Sequence, residues 1–218
     1  MVGYPLRRWQ LALLAGGLWA GCAGPSMLGF PHANPRPATG DEISLAFFGG
    51  LGAPNAGHGG LGLSYSGTAG NTGVSASASA HYPGVGTGAF TTHLELALRP
   101  ADEPGRDMLL LGLGYWGMRG ELHAPQLSVG WLRTSPADDS GSFGGLRFHA
   151  GGAFDTGPNP LGGGYLFFLS AGGGYCWRAF LARSALSFQV EPYVGLTGQS
   201  TPMLSGGIQL MLTASWGI

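Results

Sequence analysis

Between Asp41 and Ile218 the chain repeatedly alternates apolar side chains with small or polar ones, and charged residues are scarce within these runs. The clearest run is Val74-Ser75-Ala76-Ser77-Ala78-Ser79-Ala80-His81-Tyr82. Successive side chains of a β-strand point to opposite faces, so a two-residue period gives each strand one apolar face and one polar or glycine-lined face. Long amphipathic helical patterns do not occur between the runs. The pattern predicts an all-β domain.

The alternating runs are separated by short segments rich in turn-forming residues. We predict strands at about 42–52, 60–67, 73–83, 87–99, 107–119, 125–135, 143–155, 163–177, 184–197 and 204–216. Connections this short join antiparallel neighbours, so the strands form an up-and-down meander. Runs of roughly nine to thirteen residues match a tilted strand that crosses a bilayer, and they exceed the five or six residues typical of soluble sheets. The sequence therefore predicts a transmembrane antiparallel β-barrel of about ten strands, with eight as the alternative.

Residues 1–22 have the features of an export signal. Arg7-Arg8 precede an apolar stretch, Trp9 to Ala20, that is too short for a transmembrane helix. The ending Ala20-Gly21-Cys22 resembles the lipobox of bacterial lipoproteins, with Trp19 at the position where that family prefers Leu. The resemblance implies that Cys22 is lipidated and becomes the first residue of the mature chain. Ordinary cleavage near Ala23 is the alternative, and both interpretations export the protein.

Residues 23–40 contain four prolines and show no apolar period. We expect an extended Pro- and Gly-rich linker between the lipid anchor and a barrel domain at 41–218. Without the signal the chain has eight arginines against eleven acidic residues, a charge of about −3, and it has no basic cluster. Nucleic acid is therefore not an expected partner. With Cys22 lipidated, the second cysteine, Cys176, has no disulfide partner.

The positions of the charged residues indicate which face of each strand meets lipid. A cation on the lipid face near the membrane centre costs about 2–4 kcal/mol, so mid-strand charges should lie opposite the bulky apolar residues. The runs 87–99, 143–155 and 184–197 follow this rule. The residues that it assigns to the barrel interior are His93, Glu95, Arg147, His149, Gln189, Glu191 and Tyr193. Because a small barrel is filled by its own side chains, we interpret this set as a paired structural network rather than a catalytic or binding centre.

The run 163–177 carries bulky residues on both faces, so its orientation stays open. It is either packed on both sides or interrupted by a β-bulge at Gly172-Gly173-Gly174. Arg133 shares the outward parity of Trp131, but it lies at a strand end, from which a long side chain reaches the membrane interface. Its position is therefore compatible with a lipid-facing strand.

Motifs that would indicate chemistry are absent from the sequence or out of context. Gly112-Leu113-Gly114-Tyr115-Trp116-Gly117 fits the dinucleotide-binding pattern, but it lies within an alternating run, so no helix N-terminus follows to hold a pyrophosphate. G-x-S-x-G, H-E-x-x-H and C-x-x-C do not occur, nor does the His-x-Ser pair of the lipid A deacylases. We expect no enzymatic activity, metal or cofactor, and we identify no small-molecule ligand.

Residues 41–218 resemble small bacterial outer-membrane β-barrels in their even strand number, alternating runs, tight turns and an aromatic residue, Trp216, in the last strand. In that family the terminal aromatic helps assembly, so the resemblance implies an outer-membrane location with membrane lipids and the assembly machinery as partners. We expect a lipid-anchored, non-enzymatic barrel with a structural or envelope role. The alternatives are a narrow passive pore, a lipid-anchored soluble lipocalin-like binding barrel and, more remotely, a lipid-modifying barrel enzyme. The 10% content of charged residues disfavours the soluble barrel.

Overall fold

The computed structural model describes His32 and ten strands with short flanking segments. The described ranges are 32, 41–53, 58–69, 72–83, 89–100, 107–118, 122–135, 140–156, 164–181, 184–198 and 203–218. The strands are β1 (Glu42–Ala53), β2 (His58–Ala69), β3 (Thr72–Pro83), β4 (Ala89–Pro100), β5 (Asp107–Met118), β6 (Leu122–Thr134), β7 (Ser140–Asp155), β8 (Gly164–Leu181), β9 (Ser184–Gly198) and β10 (Met203–Gly217). The predicted export signal, including Cys22, lies outside the described residues. Helices long and apolar enough to cross a membrane do not occur in the described part of the chain.

The ten strands form one closed antiparallel barrel. Each strand pairs with its neighbours in sequence, and β1 also pairs with β10 along a seam that runs from Glu42 opposite Gly217 to Ala53 opposite Gly206. Closure leaves the sheet without an unpaired edge. The predicted ten-stranded meander is confirmed, and the alternative of eight strands is wrong. Each predicted run overlaps one of the observed strands.

Side chains alternate between an exposed outer face and a barrel interior. The large exposed residues of the outer face are apolar, and they include Phe47, Leu61, Leu63, Leu94, Leu111, Leu113, Leu127, Val129, Leu146, Phe148, Leu169, Leu186, Phe188, Leu196, Leu210 and Leu212. Among the outward side chains that the structure describes, the charged ones lie at the ends of the barrel wall: Asp41 lies beside Tyr65, and Asp107 and Arg133 lie opposite each other at the ends of β5 and β6. The barrel therefore carries a continuous apolar band around its outside.

Aromatic side chains border this band at both ends of the barrel. We call the end where β1 begins and β10 ends the terminal rim, and the other end the opposite rim. The outer face of the terminal rim carries Tyr65, Trp131, Tyr175, Trp177 and Trp216. The outer face of the opposite rim carries Phe90, Tyr115, His123 and Phe154. Amphipathic rings at the two edges of an apolar band are typical of membrane-spanning barrels.

The orientation of β8 follows the same alternation as the other strands. Trp177 is exposed, whereas its neighbours Cys176 and Arg178 are buried. Gly172 is paired with Tyr193, and Tyr175 is paired with Val190, so both strands use the same number of residues between these positions. An inserted residue is therefore absent from this stretch of β8 and β9, and the proposed bulge at Gly172-Gly173-Gly174 is wrong.

The interior is packed in apolar and polar zones. Near the terminal rim an apolar cluster is formed by Ala97, Met108, Leu110, Leu132, Phe143 and Cys176. A smaller apolar cluster joins β1 to β10 through Ala46, Phe48 and Met211. Buried polar and charged side chains occupy much of the remaining interior. This polar zone contains the residues that the sequence assigned to the inside of the barrel.

Candidate functional site in the barrel interior

The central contact of the polar zone is an ion pair between Glu95 of β4 and Arg147 of β7. Arg147 donates a hydrogen bond from Nη2 to Glu95 Oε1 at 2.9 Å, and its Nε lies 2.8 Å from Oε2. The two side chains are 1% and 2% exposed. The guanidinium group therefore contacts both carboxylate oxygens, one of them through a charge-assisted hydrogen bond. Because β5 and β6 separate the two strands in the barrel wall, the pair crosses part of the interior.

A third member of this site, His32, does not belong to any strand. Its Nε2 lies 3.5 Å from Glu95 Oε1 and 3.3 Å from the Oγ of Ser77 on β3. The residue is buried, with 7% of its surface exposed. Sequence reasoning missed His32, because it lies in the segment predicted as a linker, where no periodicity indicates that any side chain faces inward. The interior therefore includes a residue that precedes the first strand in the sequence.

Two further predicted residues, His93 of β4 and His149 of β7, also lie buried in this zone. His93 Nε2 is 3.0 Å from the Oγ of Ser128 on β6, and the two imidazole rings are 5.8 Å apart between centroids. A Cβ atom on Gly112 of β5 would come within 2.6 Å of His93 Nε2 and would also collide with Ser128. Gly112 therefore leaves space for the hydrogen bond between His93 and Ser128. This glycine belongs to the segment that fits the dinucleotide-binding pattern, and that segment lies within β5.

The remaining predicted residues lie on β9. Gln189 donates a hydrogen bond from Nε2 to Glu191 Oε2 at 3.0 Å, and both residues are buried. Tyr193 is partly exposed. Gln209 of β10, which is opposite Glu191, is also buried and was missed by the sequence analysis. The alternation of Ile208, Gln209 and Leu210 was the signal that could have identified it.

A second ion pair, between Glu42 of β1 and Arg178 of β8, lies near the terminal rim. Ser44 donates a hydrogen bond to Glu42 Oε1 at 3.2 Å and is 2.9 Å from Ser215 across the seam. The guanidinium carbon of Arg178 is 5.0 Å from the centroid of the Phe180 ring. Sequence reasoning missed this pair, because Arg178 lies one residue beyond the predicted strand. Since β1 and β8 are not neighbours, this pair also crosses the interior.

The space left beside the central ion pair is small. The cavity that it borders has a volume of about 20 Å³ and is lined by residues that include Ser64, Ser77, Ser79, His93, Glu95 and Arg147. A cavity needs about 10–15 Å³ to hold one water molecule. Clusters of His, Cys, Asp and Glu that could hold a metal ion do not occur among the described residues. The arrangement can hold the barrel walls together, and this cavity accommodates about one water.

A closed antiparallel barrel with an apolar outer band, aromatic borders and an ion-paired interior has the architecture of the outer-membrane class of β-barrels. Protein-family models and curated proteins show no match to the sequence.

Solved structures with a similar fold are bacterial outer-membrane proteins. The first is OmpTdeltaL8, a loop L8 deletion mutant of the outer membrane protein OmpT of Vibrio cholerae, with 12% identity, a TM-score of 0.37 and coverage of 80% of this chain and 62% of that chain. A mutant of the ferric enterobactin receptor PfeA of Pseudomonas aeruginosa has 10% identity, a TM-score of 0.34 and coverage of 75% and 32%. Ail, the attachment invasion locus protein of Yersinia pestis, has 10% identity, a TM-score of 0.28 and coverage of 81% and 99%. The chain thus spans less than two thirds of the length of the first two proteins.

Proposed function

We propose that this protein is a non-enzymatic outer-membrane barrel, anchored by a lipid on Cys22, whose lumen is closed by its own side chains and whose role in the envelope is structural. The observation that carries this proposal is the buried two-point ion pair between Glu95 and Arg147, which crosses the lumen. The lipid anchor is supported by the resemblance of Ala20-Gly21-Cys22 to a lipobox.

The distribution of polar and apolar groups supports a membrane location. A barrel in water needs a charged outside and an apolar inside, and charged residues usually make up about 25–35% of a soluble surface. This barrel instead has buried ion pairs inside and leucines such as Leu127, which is 64% exposed, outside. An apolar band of this extent is stable in hydrocarbon but would favour aggregation in water. A lipocalin-like soluble barrel is therefore disfavoured.

The pairing of interior charges supports a structural role for the polar zone. A charge in a dry interior is costly unless an opposite charge and hydrogen bonds satisfy it. Arg147 donates a hydrogen bond to one carboxylate oxygen of Glu95 and lies 2.8 Å from the other, and Arg178 contacts Glu42. Each pair joins strands that are not neighbours, so both pairs tie separate parts of the wall together. Groups engaged in this way hold the lumen closed.

Planar-bilayer conductance tests the closed lumen. We expect the purified full-length protein to insert without producing stable current steps. The double variant Arg147→Ser/Glu95→Ser, which removes the bridge, is expected to conduct. The matched control is Phe148→Ser/Leu94→Ser, which shortens neighbouring side chains on the outer face and should leave the lumen closed. Folding of each protein is checked by its SDS-gel mobility with and without boiling. Stable single-channel steps from the unmodified protein would instead establish a passive pore.

A further inference from the structure

Two of the seams along which neighbouring strands pair are interrupted in the described wall. Between β6 and β7 the pairing is missing where Ala124-Pro125 lie opposite Gly152-Ala153. Between β8 and β9 it is missing where Gly173-Gly174 lie opposite Glu191-Pro192. The other seams of the described wall pair without a gap. The two interrupted seams are therefore the two borders of the β7–β8 pair of strands.

A proline accounts for each interruption. Proline has no N–H to donate to a β-ladder, and a closed barrel has no free edge at which this loss would be harmless. The pairing of β5 with β6 continues through Pro125, so the missing donor faces Gly152 of β7. By the same reasoning the donor missing at Pro192 faces Gly173 of β8, because β9 still pairs with β10 there. Each border of the β7–β8 pair therefore lacks a backbone hydrogen bond.

The same positions also lack a side-chain contact across the seam. Pro125 and Pro192 are exposed on the outer face, and the residue opposite each of them is a glycine. A Cβ atom on Gly152 would meet no other atom within 4 Å. Side-chain pairs across neighbouring strands stabilise a sheet, and a glycine contributes none. Both borders are thus weakened in backbone pairing and in side-chain packing at the same point.

The β7–β8 pair itself is joined without a gap. Its pairing runs from Ser140 opposite Trp177 to Ala153 opposite Gly164. On the outer face Tyr175 donates a hydrogen bond from its hydroxyl group to Ser140 Oγ at 2.9 Å. Because the two strands are joined more completely to each other than to β6 and β9, they can move together as one body.

Both ion pairs that cross the lumen begin on these two strands. Arg147 of β7 contacts Glu95 of β4, and Arg178 of β8 contacts Glu42 of β1. All four side chains are largely or fully buried, so separating either pair exposes charges to a dry interior at high cost. The β7–β8 pair is therefore held from across the lumen by contacts that bypass both interrupted seams.

We propose that the β7–β8 pair is a movable panel of the barrel wall and that the ion pairs of Arg147 and Arg178 latch it from across the lumen. While both ion pairs are formed, the panel completes the barrel. When they separate, the panel moves outward along its two interrupted seams, and the interior opens sideways to the bilayer beside Pro125 and Pro192. The inference goes beyond the proposed structural role and does not depend on whether the lumen conducts along its axis.

Residue-resolved hydrogen exchange of the full-length protein in nanodiscs tests the panel. We expect amides that pair across the β6–β7 and β8–β9 seams to exchange at least about tenfold faster than those that pair β7 with β8. The variant Pro125→Ala/Pro192→Ala supplies both missing donors and should slow exchange at the two seams about tenfold. The control Leu127→Ala/Val194→Ala shortens outward side chains of the same strands without adding a donor, so it should not slow exchange. Equal exchange at the three seams of the unmodified protein, or no slowing in the proline variant, overturns the inference.

The variant Arg178→Met/Glu42→Gln tests the latch, because it neutralises both partners and leaves no lone charge in the interior. Exchange should accelerate about tenfold at both borders of the panel, including the β6–β7 seam, whose strands carry neither residue. The control Asp107→Asn/Arg133→Met removes one acidic and one basic group at the same rim on the outer face, and it should leave both seams unchanged. Folding of each variant is checked by its gel mobility before boiling. Acceleration confined to the β8–β9 seam, or spread equally over the whole barrel, overturns the latch. Axial conductance of the unmodified protein decides the closed lumen separately.

Discussion

Replacing Arg147 by Leu should severely destabilise the barrel. The substitution leaves the Glu95 carboxylate inside the lumen, where the residue is 3% exposed, without the two guanidinium contacts at 2.9 and 2.8 Å. Removing one partner of a buried ion pair costs about 3–5 kcal/mol, mainly because the other charge is left uncompensated. Typical domains have a total stability of about 5–15 kcal/mol. Arg147→Leu should therefore remove a large part of the free energy of unfolding.

The double variant Arg147→Leu/Glu95→Gln separates the cost of the unpaired charge from the loss of packing. The neutral amide keeps the size of Glu95 and retains an oxygen that can accept a hydrogen bond. Since replacing both charges of a buried pair is often close to neutral, the double variant should recover about 2–3 kcal/mol relative to Arg147→Leu alone. The difference between the two variants measures the penalty for a lone carboxylate.

Urea unfolding in phospholipid vesicles provides the measurement, with the folded fraction read from SDS-gel mobility before boiling. We expect the midpoint order unmodified protein, double variant, Arg147→Leu, from highest to lowest. An unchanged midpoint for Arg147→Leu would show that the ion pair does not stabilise the barrel. A double variant no more stable than Arg147→Leu would show that the lone carboxylate carries no penalty, which contradicts the argument.

Three further predictions concern the outer face, the interior packing and the anchor. Leu127→Arg places a charge in the middle of the apolar band and should lower the free energy of unfolding in vesicles by about 2–4 kcal/mol. Leu181→Arg at the terminal rim should lower it by only about 0–1 kcal/mol. Equal small effects of the two variants in urea titrations would contradict a lipid-facing band. Gly112→Ala should lower stability by about 1–3 kcal/mol, because the added methyl group clashes with His93 and Ser128. Gly152→Ala, with nothing within 4 Å of its added methyl group, should change stability by less than about 0.5 kcal/mol. Similar unfolding midpoints for the two variants would refute the packing argument. Labelling of cells with radioactive palmitate should mark the protein and fail for Cys22→Ala, and an unlabelled parent protein would exclude the lipid anchor.

The sequence could predict the fold because its signal is local. A two-residue period is visible within each strand, and short connections join neighbouring strands in antiparallel order, which gives a meander. The same parity separates Glu95, Arg147 and Glu191, which are buried, from their apolar neighbours on the outer face. Features that depend on a single strand, such as the direction of its side chains, could therefore be predicted from the sequence.

The contacts between distant parts of the chain were not accessible in the same way. The pairing of Glu42 with Arg178 depends on how strand tilt and register bring β1 and β8 together around the barrel, and neither strand encodes this alone. Gly172-Gly173-Gly174 suggested a bulge. The stretch that contains these glycines has the same number of residues as the stretch of β9 paired with it, so it contains no inserted residue. His32 lies in a segment without periodicity, so its burial has no counterpart in the local pattern.

The seam between β1 and β10 makes the stability of the first strand depend on the strand that is synthesised last of the ten. Glu42 to Ala53 form twelve pairings with β10, whose first residue is Met203. A polypeptide that ended before Met203 would present two open sheet edges to hydrocarbon, where each unsatisfied backbone group costs several kcal/mol. Translation products that stop before β10 would therefore be unstable in the bilayer. The membrane therefore discriminates against chains that lack β10, because only a polypeptide that extends through this strand can close the barrel.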